Sequence, residues 1–171
     1  MLGFRMWELR GRLVGAWMPW DRPEYEARCG TRRSGPGDDV PHTDGRCGYP
    51  PCGLYCFKEP EQLLAAFGMP RGSARFVLGL VSLSGKVVEH EHGYRAKKAR
   101  VLAAVVVGRG ELVRVEGEAR LQRLFAAPDA AVAALCAGDP GVVEQVLDPV
   151  LAAEAAISYL ALARDFHLPS P

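Results

Sequence analysis

Apolar and polar positions follow four regimes along this chain. Near the start, Phe4, Met6, Trp7, Leu9, Leu13 and Val14 partly alternate with Arg5, Glu8, Arg10 and Arg12 across a Gly11 break, which predicts a β-hairpin. From residue 19 to 51 the rhythm disappears, and Gly30, Gly35, Pro36, Gly37, Gly45 and Gly48 crowd the stretch. Ordering each residue costs about 1–2 kcal/mol, so a loop of this length in a compact domain needs something to pin it. A short strand is expected at 53–57, then a helix opened by Glu59-Pro60-Glu61 and closed by Gly68.

Residues 75–107 hold the most strand-like runs, with room for three strands and turns or bulges at Gly85 and Gly93. Beyond Val115 the apolar residues fall at helical spacing, predicting helices at 118–126, 129–137, 139–147 and 148–165. The last three begin with Asp129, Asp139 and Asp148, and Pro140 and Pro149 suit a first helical turn. The expected fold is α+β: a small, curled, mostly antiparallel sheet with a metal-pinned loop and a helical C-terminal portion. We read 1–171 as one domain, sheet-rich over 1–115 with its Cys/His loop at 19–56, and helical over 116–171.

Composition narrows the class. Hydrophobic residues at 49% and charged residues at 24% fit an ordinary globular chain rather than a disordered one. The longest apolar run is strand-sized, far below the ~20 residues of a membrane span, and Arg5, Glu8, Arg10 and Arg12 interrupt the N-terminus as a secretion signal would not allow. A soluble cytoplasmic protein is therefore expected, with no membrane partner. Residues 1–100 carry 16 basic and 11 acidic side chains, and 101–171 carry 5 and 9. The basic half lacks the dense stripe that phosphate neutralisation uses, so nucleic-acid binding ranks third among the readings.

Candidate chemistry begins inside the unpatterned loop. The spacing is Cys29-x12-His42-x4-Cys47-x4-Cys52-x3-Cys56. Thiolates and imidazoles are zinc's ligands, and three cysteines with one histidine make a common structural site. Cys29, His42, Cys47 and Cys52 are the expected ligands; Cys56, between Tyr55 and Phe57 in an apolar strand, suits a buried free thiol. Gly30, Gly48 and Gly53 each follow a ligand, which lets backbone N–H groups turn toward sulfur. Four protein ligands leave no open position for a substrate water, so the zinc would be structural. Disulfides, unliganded thiols, or a catalytic cysteine served by His42, His90 or His92 are the competing readings.

The second conspicuous segment is Glu89-His90-Glu91-His92-Gly93-Tyr94-Arg95. If extended, it would put Glu89 and Glu91 on one face and His90, His92 and Tyr94 on the other. That surface, with Arg95, could hold a sugar, a phosphate or a partner protein; the plainer reading is a solvated strand end of alternating charge.

Cys52-Gly53-Leu54-Tyr55, the helix led by Glu59-Pro60-Glu61, and the run from Gly85 to Ala96 together resemble a group of small actinobacterial proteins with no assigned activity. The resemblance covers about residues 17 to 107 and implies a bacterial, cytoplasmic origin. A fold-level analogy to ADP-ribosyltransferases rests on Gly53-Leu54-Tyr55 and Glu89-His90-Glu91, without that family's upstream strand. Two further features bear on partners. Trp7, Trp17 and Trp20 suit a core or a stacking platform, and the amphipathic last helix suits packing on the sheet or pairing with a second copy.

The leading expectation is a non-enzymatic, zinc-stabilised module that recognises a partner or small ligand through Glu89, His90, Glu91, His92, Tyr94 and Arg95. The alternative is an enzyme acting on a nucleotide or sugar, with Glu91 as acid/base.

Overall fold

The computed structural model describes residues 1–15, 18–27, 53–67, 75–108, 111–138, 143–145 and 148–168. Its frame is one long hairpin, β6 (Arg75–Glu89) and β7 (Gly93–Val107), each of 15 residues. They are apolar almost continuously over 76–81 and 101–107, where both faces are covered. Val77, Val81, Val101 and Val106 face one cluster, while Leu78, Leu80, Val105 and Val107 face the other. The register slips between Ser84 and Val87, where Gly85 takes a φ of 72°.

β1 (Leu2–Leu9) pairs with β6 along its whole length, from Leu2 opposite Ser82 to Leu9 opposite Arg75. It turns at Gly11 into β2 (Leu13–Val14), which pairs in turn with β3 (Pro19–Trp20). On the far edge of β7 lie, in order, β5 (Leu54–Phe57), β4 (Glu24–Glu26) and β8 (Glu111–Glu116). Phe57 also pairs with Phe4, so β1, β6, β7 and β5 close on themselves at one end. Every described pairing is antiparallel, and among the described residues the sheet has nine strands.

Helices cover both faces. α2 (Glu118–Ala126) and α3 (Pro128–Gly138) bury Leu121, Phe125 and Val132 beside Trp7 and Trp20. α1 (Glu61–Phe67) and α4 (Pro149–His167) bury Leu63, Ile157 and Leu160 against Phe4 and Leu80. Asp148 caps α4 as its sequence position predicts, accepting from the Val150 and Leu151 N–H groups at 2.7 and 3.3 Å, with Pro149 in the first turn. The fold is α+β, and among the described residues no helix is long and apolar enough to cross a membrane.

Three expectations change. Residues 75–107 form two strands rather than three, and β8 is a strand the sequence pattern did not single out. The helix expected at 139–147 is not formed at Val143–Gln145, which make a ninth strand on the β8 edge. Tertiary pairing overrides helix propensity there, since each residue gained by the ladder outweighs a few tenths of a kcal/mol of local preference.

Candidate functional site

The Glu89–Arg95 segment is the tip of the β6–β7 hairpin, not one extended face. Glu89 ends β6, the His90 N–H donates to the Gly93 carbonyl at 2.8 Å, and Glu91 and His92 form the two-residue connection. Side-chain alternation therefore stops at the turn, which corrects the two-face arrangement expected from a strand. Lys58 braces it: its Nζ lies 2.7 Å from Glu89 and 5.6 Å from the centre of the Tyr94 ring, and its N–H donates to the His92 carbonyl. The hydrogen bond that its ammonium donates to Glu89 raises the Lys58 pKa.

Glu91 and His92 stand in solvent, 86% and 70% exposed, with 3.6 Å between them. No wall of protein encloses Glu91 where a substrate could be held against it. His90 is also exposed, Tyr94 is half-buried, and Arg95 is buried. Arg95 thus belongs beneath the surface rather than on it. Its stem crosses Gly53, whose φ is 135° and where a Cβ would overlap the Arg95 Cγ.

That contact leads to the root of the cysteine-rich segment. The Ala27 N–H donates to the Lys97 carbonyl at 2.8 Å, and Leu54 lies opposite Ala96. The chain leaves and rejoins the sheet at consecutive residues of β7, a few positions from the Glu91-His92 turn. Cys29, His42, Cys47 and Cys52 lie outside the described residues. Among the described residues, no group of three or more His, Cys, Asp or Glu side chains could hold a metal ion.

No protein-family profile, curated protein or solved structure matches this chain. Function rests on the chemistry of the site itself.

Sequence reasoning missed what lies under that root. Arg5 is 8% exposed, and its guanidinium donates to the Tyr55 carbonyl at 2.5 Å and sits 4.9 Å from the Trp20 ring centre. No carboxylate pairs with it among the described residues. Burial lowers its pKa, and it faces Cys56, a free buried thiol. The thiol is pushed up to about 11, chiefly by burial and in spite of the nearby guanidinium.

A thiol whose pKa is higher folded than unfolded stabilises the fold below its unfolded value, near 8.5–9. That contribution is lost as pH rises toward about 11. We expect stability to fall across this window by about 1.4 kcal/mol per unit more in the wild type than in Cys56→Ala. Urea titrations of both proteins at pH 8, 9.5 and 10.5 measure it, and parallel pH profiles would refute the assignment.

A cleft of about 1030 Å³ opens on the other side of the root, walled by Trp20, Tyr25 and Phe125 and rimmed by Arg12, Lys98 and Arg100. Trp20 and Tyr25 stack with their ring centres 4.9 Å apart. The rim is largely neutralised: Arg100 pairs with Glu24 and Glu118, and Lys98 with Glu26. Such pairing leaves little positive field for nucleic acid.

Proposed function

We propose that this protein is a non-enzymatic recognition module whose cysteine-rich segment folds around a structural zinc. The carrying observation is the anchoring of both ends of that segment on Lys97 and Ala96, beside the Glu91-His92 turn. Cys29 and Cys52 are each two residues in sequence from an anchor, and the two anchors pair with neighbouring residues of β7. His42 and Cys47, on the intervening chain, complete a four-ligand set of the zinc type. With the zinc bound, these four residues tie the segment into a fixed shape against β7. Thiolate ligands suit the reducing cytoplasm.

The recognition surface in this reading is the turn: Glu89, His90, Glu91 and His92 present charge and hydrogen-bonding groups, with Lys58 and Tyr94 bracing them. Arg95 positions the turn relative to Gly53 from below. A partner protein or polar small ligand is the expected occupant, since the turn offers both carboxylates and imidazoles without an enclosing wall. Elemental analysis of protein prepared without chelator tests the proposal. One zinc per chain is expected, lost in Cys47→Ala; a reduced, metal-free protein that is still rigid over 28–52 would end it.

A further inference from the structure

We infer that the outer face of α4 is a two-fold contact between copies of this chain. The helix is apolar on both sides. Ala152, Ala156, Leu160 and Ala163 are buried on the sheet, yet on the opposite side Leu151, Leu162 and Phe166 are 58%, 61% and 86% exposed. Spacings of four, seven and eleven residues from Leu151 place Ala155, Ser158 and Leu162 on the same stripe, and Phe166 continues it. An exposed apolar stripe of this kind marks an interaction surface.

A second copy fits because the stripe is self-complementary when reversed. Place a two-fold axis between Ser158 and Tyr159 and run the helices antiparallel. Phe166 then lies over Leu151 of the second copy, and Leu162 over its Ala155, so each large side chain meets a smaller one. The small residues at the centre let the two backbones approach. The exposed stripe with flanking Val150 and Leu168 amounts to roughly 550 Å² per copy, or about 1,100 Å² for the pair. That lies at the low end for specific association, which makes the dimer a weak one of roughly micromolar dissociation constant.

Electrostatics supplies a signature. Glu154 and Asp165 lie on one flank of the stripe, and in the antiparallel pair Glu154 of one copy approaches Asp165 of the other. Salt screens that repulsion, so association should tighten with ionic strength.

Sedimentation velocity of the full chain from about 1 to 200 μM tests the inference. The expected result is a monomer–dimer equilibrium that strengthens between 50 and 500 mM NaCl and is weakened at least tenfold by Leu162→Glu. That variant should keep the wild-type Tm, because Leu162 is exposed in the protomer. Orientation is read by oxidation: Ser158→Cys, near the axis, should form a disulfide-linked dimer above the level of the unmodified chain. Phe166→Cys, with its two copies roughly 20 Å apart, should not. A monomer at every concentration, a dimer indifferent to Leu162→Glu, or ready cross-linking of Phe166→Cys would each overturn it.

Discussion

Gly93→Ala should lower stability by about 3 kcal/mol, near the upper end of what overpacking costs. A Cβ at Gly93 would overlap the Cys56 carbonyl oxygen, a backbone atom of β5 that cannot rotate away as a side-chain tip could. β5 is four residues long and is held by its four pairs with β7 and the single Phe4–Phe57 pair. Relief of the overlap must therefore push β5 off β7, separating the two strands that root the cysteine-rich segment. Gly117→Ala is the matched control: Gly117 has a φ of 83°, yet nothing lies within 4 Å of a Cβ there. Only the backbone conformation is strained in that variant, at about 1 kcal/mol. Urea unfolding followed by the fluorescence of buried Trp7 and Trp20 compares the two, and equal losses would mean that β5 does not lie against Gly93.

The same contact shows what the sequence could and could not disclose. Local signals worked where the chemistry is local. Asp148-Pro149 marks the start of α4, Gly11 the first turn, and the apolar spacing from Glu118 to Ala126 predicts α2 to the residue. The Leu54-Tyr55 and Gly93-Tyr94-Arg95 stretches are separate features of the sequence, but only the fold makes them strand partners and sets Gly53 against Arg95 and Gly93 against the Cys56 carbonyl. Neither glycine's role is legible from its neighbours in sequence. Strand alternation misled at Glu89–Arg95 because a two-residue turn interrupts it, and helical spacing misled at 143–145 because the open β8 edge was invisible. Arg5 is the instructive miss. Its parity in β1 is that of Gly3, Trp7 and Leu9, so strict alternation already placed it on the side of the tryptophan. Charge by itself argues for the outside.

If the cysteine-rich segment folds around zinc as proposed, chelation should open it without dissolving the sheet. The segment contains Arg28, Arg32, Arg33 and Arg46, four trypsin sites between the two anchors on β7. In the metal-bound protein, cleavage there requires local opening against the ligand bonds; chelation removes that restraint and should raise the rate at these sites by at least about tenfold. Of the residues flanking the segment, Ala27, Leu54 and Cys56 join the buried cluster around Trp7, whereas the cluster under α4 draws on neither β4 nor the anchors. The sheet loses a tether but keeps its packed faces. Clipped protein should thus elute as one particle, with the N-terminal fragment retained through β1 pairing with β6. Cys52→Ala should reproduce the chelated pattern with zinc present, and Cys56→Ala should not, because its thiol points into the interior toward Arg5. Acid should act as chelation does, since thiolate and neutral imidazole ligands must both be deprotonated to bind. Identical cleavage rates and sites with and without chelator would leave the segment's shape independent of any ion.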